Sequence, residues 1–341
     1  MEKNFLITAK ITLVLVYFVI IAGAVVRMTG SGMGCPDWPR CFGYYIPPTE
    51  ASTLEWQADR AYKKGQVIII DEALQVANSD FTTSATYDPT HWEAYTKHNY
   101  AVFNVWHTWI EYINRLFGAL AGLATLVLAF LSFGYLKKRK KITLLSWVAV
   151  FAMGFQAWLG ATVVYSVLEP VKITIHMVMA LAIVALLLYV IHNVRTDRAT
   201  FKYDTLNFRL LVLALIFTLA QIVLGTQVRQ FVDHQIDIVG ENAKDLWLQT
   251  PTLSFYVHRS FSVLVVVLNV FLAYRISKLQ LGFSKIKWVI AFLVIEIISG
   301  IVMYYSDFPF GTQSLHLILA SLLFAVQFYL VMEAYNAKKV A

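Results

Sequence analysis

Apolar residues gather into eight runs along the chain, at about 10–28, 109–134, 142–165, 172–193, 210–229, 255–274, 288–305 and 313–334. Each is close to the ~20 residues that an α-helix needs to cross the hydrocarbon of a bilayer. Eight spans return the chain to the side on which it began. The polar breaks at Lys137–Lys141, Arg195–Arg209 and Arg275–Lys287 and the tail Lys338–Lys339 are short and basic, which predicts that they and both termini are cytoplasmic. The remaining connections are then external. The long segment 35–100 is more acidic than basic, and the 229–254 loop carries Asp233, Asp237, Glu241 and Asp245. The first run also has a leader-like form, with Lys3 and Lys10 ahead of it and Ala22-Gly23-Ala24 near its end. Its closing motif recurs at the end of the fifth run, so it is read as a span of the fold.

Composition supports a membrane solvent. The 341 residues are 58% hydrophobic and 14% charged, too little charge to clothe a water-exposed surface. The net charge of +7 sits in the breaks between spans, where it orients the chain, so nucleic acid is excluded as a partner. No Arg-rich, acid-poor transit segment is recognisable, and the expectation is a multi-pass protein of a bacterial plasma membrane.

Laying the spans of one half over those of the other reveals an internal repeat. Span one ends Gly23-Ala24-Val25-Val26-Arg27 and span five ends Gly225-Thr226-Gln227-Val228-Arg229. Span two contains Glu111-Tyr112-Ile113-Asn114-Arg115-Leu116-Phe117, and span six contains Phe255-Tyr256-Val257-His258-Arg259-Ser260-Phe261. Span three carries Gly160-Ala161-Thr162 and span seven Gly300-Ile301-Val302, while spans four and eight open on His176 and His316. The last two matches share an offset of 140 residues and Asn114/His258 an offset of 144, so the register barely drifts. The expected fold is all-α, eight transmembrane helices as two pseudo-symmetric four-helix bundles. With four spans per half, the relating axis lies along the membrane normal. The halves are read as residues 1–200 and 201–341.

The matched residues suggest chemistry. His258 and His316 lie about one turn inside their spans, level with each other. A lone membrane histidine is commonly a hydrogen-bonded structural residue, but two neutral imidazoles facing across a four-helix core can hold a haem iron by both axial positions. Arg259, Arg229 and Arg27 offer cations to haem propionates, or alternatively snorkel to headgroups. In the first half His176 matches His316, but Asn114 stands where His258 is matched. An amide is a poor iron ligand, so this site has a weak or open axial position or recruits His107 from two turns earlier. Glu111 shares a helix face with Asn114 and is read as a proton-handling group, the alternative being a structural pair with Arg115. Cys35 and Cys41 flank Pro-Asp-Trp-Pro-Arg in an external loop, where a disulfide is expected, either a staple or a redox-active pair. Zinc would need further ligands, for which Asp37, His91 and His98 are the nearest candidates.

These residues resemble the haem A synthases, which convert haem O to haem A for terminal oxidases. The resemblance covers nearly the whole chain and is most specific in GAVVRMTGSGMGCPDWPRCFG, from Gly23 to Gly43, and in Glu111 to Arg115. It implies a b-type haem cofactor held by His258 and His316 in the C-terminal half. It implies a substrate haem O in the N-terminal half, near His176, Asn114, Arg115 and Arg27, with Glu111 catalytic. The implied reaction oxidises one ring methyl to an alcohol and then to the aldehyde level, within haem biosynthesis and cytochrome oxidase assembly. A haem O synthase is the implied supplier of substrate, while the electron donor and any homo-oligomer stay open. The chain departs from the family pattern at Asn114, where many members carry histidine, and lacks the second cysteine pair that members often have. Two other classes compete: a di-haem b-type cytochrome that carries electrons from quinol without modifying haem, and a transporter with parallel repeats.

Overall fold

A computed structural model describes residues 2–195 and 201–339. Part of the basic break at 195–209, with the boundary expected between the halves, lies outside the described residues. Among the described residues, eight long apolar helices cross the membrane: α1 Glu2–Met28, α2 Val105–Leu131, α3 Lys140–Tyr165, α4 Pro170–Val194, α5 Thr205–Val239, α6 Leu253–Lys278, α7 Ile286–Tyr305 and α8 Thr312–Tyr335. Each lies on one expected span, α2 giving way to a 3-10 turn at Ser132–Tyr135. Local chemistry sets several ends. Pro170 opens α4, where its missing N–H is of no consequence. Asp204 caps α5 by accepting the Asn207 N–H at 2.7 Å, and its carboxylate is clamped by Arg275 Nη2 at 2.9 and 3.0 Å.

One boundary differs from expectation. The helix carrying Arg229 continues ten residues further to Val239, so Asp233 and Asp237 belong to α5 and not to a loop. Two features sustain the extension. Arg229 bonds Asp233 at 2.7 Å one turn on, and Val232, Ile236 and Val239 pack on Trp247, Leu248, Phe308 and Met303. The polar sequence hid this because the extra turns bury one stripe only.

The chain forms two compact units. One comprises Met1–Val16, Leu123–Met153 and Met177–Ala341. Its core stacks Leu211, Leu272, Val289, Leu293, Leu323 and Leu330 between α5, α6, α7 and α8. Hydrocarbon outside is as apolar as these side chains, so close packing and hydrogen bonds, more than the hydrophobic effect, hold such helices together. Gln327 supplies one of those bonds, donating to buried Asn269 at 3.0 Å. At the start of α1, Phe5 is fully buried against the Tyr135 ring, so this segment is packed as part of the unit.

The second unit comprises Tyr17–Gly122 and Gly154–His176. It contains the long loop, which is built rather than irregular. Strands β1 Ala61–Tyr62 and β4 Phe81–Thr82 pair antiparallel, and β2 Val67–Ile70, β3 Ala73–Ala77 and β5 Trp92–Ala94 form an antiparallel sheet in the order β2-β3-β5. The β2–β3 hairpin turns on Asp71 and Glu72, both with positive φ, as two-residue hairpin turns require. Side chains alternate across it. Val67 and Leu74 face a core with Cys35, Cys41, Phe42 and Leu54, whereas Ile68 and Ala77 face Tyr62 and Trp92.

Candidate functional site

The repeat has a physical basis: on every odd-numbered helix one glycine lies against the matched polar residue of the next helix. A methyl group at Gly225 would come within 3.1 Å of His258 Cε1, and one at Gly160 within 3.3 Å of His176 Cε1. At Gly300 it would meet His316 Cε1 at 3.8 Å, and at Gly23 it would meet Asn114 Oδ1 at 3.9 Å. Four residues before each glycine stand Val19, Gln156, Gln221 and Glu296, on the same helix face. Gln156 donates to the His176 carbonyl and Gln221 to the His258 carbonyl, both at 3.0 Å, and Glu296 reaches the His316 ring. The fourth pair is the exception twice over. Where the even helix has Asn114 instead of histidine, the odd helix has Val19 instead of an amide or carboxylate.

In the first unit, His258 and His316 come together with ring centroids 6.5 Å apart and planes inclined by 66°. Imidazole nitrogens sit about 2 Å from a bound transition metal, so two rings sharing one ion have centroids roughly 6 Å apart. The spacing therefore fits a single iron between them. Nδ1 of His258 is buried without a hydrogen-bond partner among the described residues, whereas Nδ1 of His316 lies 2.8 Å from both Glu296 Oε2 and Ser299 Oγ. Among the described residues no group of three or more His, Cys, Asp or Glu forms a cage of its own. A two-ligand site suits a metal that brings its equatorial donors with it.

Of the arginines expected nearby, Arg229 pairs with Asp233 as described above. Arg259 is exposed, with its guanidinium 5.5 Å from the Tyr256 ring centroid and 5.7 Å from that of Phe255.

In the second unit, His176 is held by Gln156 and faces Gly160, with its Nδ1 buried and unpartnered among the described residues. Asn114 Oδ1 is likewise buried and unpartnered, and it faces Gly23. Arg27 is half-buried one turn beyond that glycine. His107 lies in the first turn of α2, where the Asn104 side chain caps its N–H at 3.2 Å.

Glu111 and Arg115 join the disulfide loop to α2. Cys35 and Cys41 are bonded to each other and fully buried, which excludes them as zinc ligands. The Cys35 N–H donates to Glu111 Oε2 at 2.7 Å. Arg115 commits all five of its donors. Nε and one Nη2 hydrogen go to Glu111 Oε1, the other Nη2 hydrogen to the Cys35 carbonyl at 2.7 Å, and Nη1 to the Asp37 and Arg40 carbonyls at 2.7 and 2.8 Å. The pairing with Arg115 is thus present, and this guanidinium holds the loop instead of presenting an edge to a ligand carboxylate.

Within the loop, Asp37 accepts the N–H groups of Phe42 and Gly43 at 2.5 and 2.7 Å. Burial pushes its carboxyl above the ordinary value, against the lowering by the Gly43 N–H, the Arg115 charge and the Phe42 N–H.

Gly34 is required for close approach, since a Cβ there would lie 2.2 Å from the His107 carbonyl oxygen, and Thr108 Oγ1 donates to the Gly34 carbonyl at 2.8 Å. Overpacking of this kind costs about 1–3 kcal/mol when neighbours can shift. Here the neighbour is helix backbone, so Gly34→Ala is expected to lower Tm by several degrees and expose the loop to protease. An unchanged Tm and digestion pattern would contradict the packing described.

Glu296 and its two amide counterparts, Gln156 and Gln221, are not among the residues expected from the sequence. The signal was available: Glu296 is an ionisable side chain inside an apolar run, 140 residues after Gln156 and thus in the register of the His176/His316 match.

The model of the COX15-CtaA family, described as cytochrome oxidase assembly protein, matches residues 7–81 and 64–328. A protein named heme A synthase from Shewanella oneidensis is 27% identical over 218 residues, which cover 63% of this chain and 54% of that protein. Proteins of the same name from Alkalihalophilus pseudofirmus and Ehrlichia canis are each 24% identical, covering 97% and 93% of this chain and 98% and 89% of theirs. With the match running through all eight helices, the chain belongs to the COX15-CtaA family of cytochrome oxidase assembly proteins.

Proposed function

We propose that the protein is a haem A synthase that oxidises one ring methyl of haem O stepwise to the formyl group of haem A. The observation that carries this reading is the unequal pair of sites. His258 and His316 stand at the spacing of a shared metal, whereas the matched positions of the other repeat hold His176 against Gly160 and Asn114 against Gly23, so that repeat offers one histidine where the first offers two. His258 and His316 would hold a b-type haem, which supplies one-electron chemistry when bound. Their glycine cradles, Gly225 and Gly300, let the rings sit against the backbone of the neighbouring helix.

In the substrate half, His176 would fix haem O from one side, with Gln156 setting the position of its backbone. Asn114 leaves the opposite side without a strong ligand, which suits a haem that must react rather than only carry an electron. Arg27, half-buried one turn beyond Gly23, would be the candidate for a propionate. Glu111 would handle protons at the substrate edge while its carboxylate anchors the Cys35 N–H. Burial of the Cys35–Cys41 bridge favours the staple over the redox-active pair, because thiol exchange requires access. Orientation with both termini in the cytoplasm follows from the basic breaks.

Pigment extraction from a host that makes haem O tests the reading. Haem A or its alcohol precursor is expected in membranes that contain the protein and not in those that lack it. Haem O and protohaem alone would favour a quinol-linked cytochrome carrier.

A further inference from the structure

The three histidines at the matched positions are not held alike. His176 and His258 each accept a bond on their backbone carbonyl from an amide at the position four before the glycine, the Gln156 amide also lying 3.4 Å from His176 Nε2, and each leaves Nδ1 without a partner among the described residues. His316 is secured through its ring. Its Nδ1 lies 2.8 Å from Glu296 Oε2 and 2.8 Å from Ser299 Oγ. The carboxylate is 12% exposed, in a helix that carries no other charged side chain between Trp288 and Tyr305. An ionisable side chain in a membrane helix is expensive unless it has a partner or a function. At two equivalent positions glutamine suffices to tie the helices together, so packing alone does not call for a carboxylate at the third.

Resting on the reading of His258 and His316 as the ligands of a b-type haem, we propose that Glu296, with Ser299, is a positioning residue for that haem. By accepting the Nδ1–H of His316 it fixes the tautomer and orientation of the ring, leaving Nε2 for the iron. A carboxylate acceptor also makes the imidazole a stronger donor than an amide or a backbone carbonyl would. A more basic axial ligand favours the ferric state, so Glu296 holds the midpoint potential low. The axial pair is then asymmetric: His316 is the strengthened ligand and His258 the ordinary one. A low potential suits a haem that must pass its electron onward to the reacting half.

The test is redox titration of the purified full-length protein, following the visible bands of the b-type haem. Glu296→Gln installs the residue found at the other two positions and is expected to keep the haem bound while shifting its midpoint potential upward. Glu296→Asp retains a carboxylate and is expected to give a smaller upward shift, and it serves as the readout if the glutamine variant does not fold. A potential unchanged from the parent protein in whichever variant is measured would overturn the proposal. Absence of any b-type haem from the parent protein would instead overturn the ligand assignment on which it rests.

Discussion

Arg115→Met is expected to release the disulfide loop from α2 and to abolish turnover, the largest structural effect of any single substitution considered. The change removes five hydrogen bonds at once. It leaves the Glu111 carboxylate buried without its cation and orphans the carbonyls of Cys35, Asp37 and Arg40. Breaking one side of a largely buried ion pair costs about 3 to 5 kcal/mol, because the remaining charge is stranded. Each stranded acceptor adds to that unless water reaches it. Limited proteolysis should therefore cut between residues 35 and 100 in the variant while the parent resists. Glu111→Gln separates fold from chemistry at the same place. The single amide oxygen can still accept from Arg115 although the Cys35 N–H then loses its acceptor, and Arg115 keeps its bonds to the Cys35, Asp37 and Arg40 carbonyls, so the loop should stay docked while conversion of haem O to haem A should be lost. Conversion that survives in Glu111→Gln would rule out the proton-handling role and leave Glu111 a purely structural anchor.

The second large effect concerns the histidine pair. His258→Ala or His316→Ala deletes one of two axial donors and is expected to remove the b-type haem spectrum from the purified protein, with complete loss of conversion. The two variants should differ in stability. His316→Ala strands Glu296 in an apolar span, whereas His258→Ala strands no charge, since the His258 ring has no bonded partner among the described residues. A lower Tm for His316→Ala than for His258→Ala is the expected order, measured on haem-depleted samples so that lost ligand does not dominate the comparison.

Much of this architecture could be read from residue order, because the bilayer makes hydrophobicity an almost direct report of structure. All eight helices lie where apolar runs predict them. The reading failed where a helix leaves hydrocarbon. Beyond Arg229, α5 continues through Asp233 and Asp237, and only the stripe Val232, Ile236 and Val239 records it. The loop strands were missed for a similar reason. Val67-Ile68-Ile69-Ile70 is a β-branched run bounded by Gly65 and the Asp71-Glu72 turn, a strand signal overshadowed by the stronger pattern of the spans.

At the site, the paired histidines and the Asn114 substitution were visible as matches and a mismatch between repeats. The partners of those residues were not. That Arg115 turns toward the Cys35–Cys41 loop depends on how the loop folds back on α2, which spacing along one helix does not encode. Glu296 could have been found by extending the repeat comparison one turn upstream of each glycine, where Gln156 and Gln221 mark the register.

The central claim is that the two halves do different work, one keeping a haem and the other changing one. The most direct measurement is the pigment content of purified His258→Ala and His176→Ala proteins from a host that makes haem O. The account predicts that His258→Ala lacks protohaem and still carries haem O, while His176→Ala keeps protohaem and carries neither haem O nor haem A. Loss of the same pigments from both variants would contradict it.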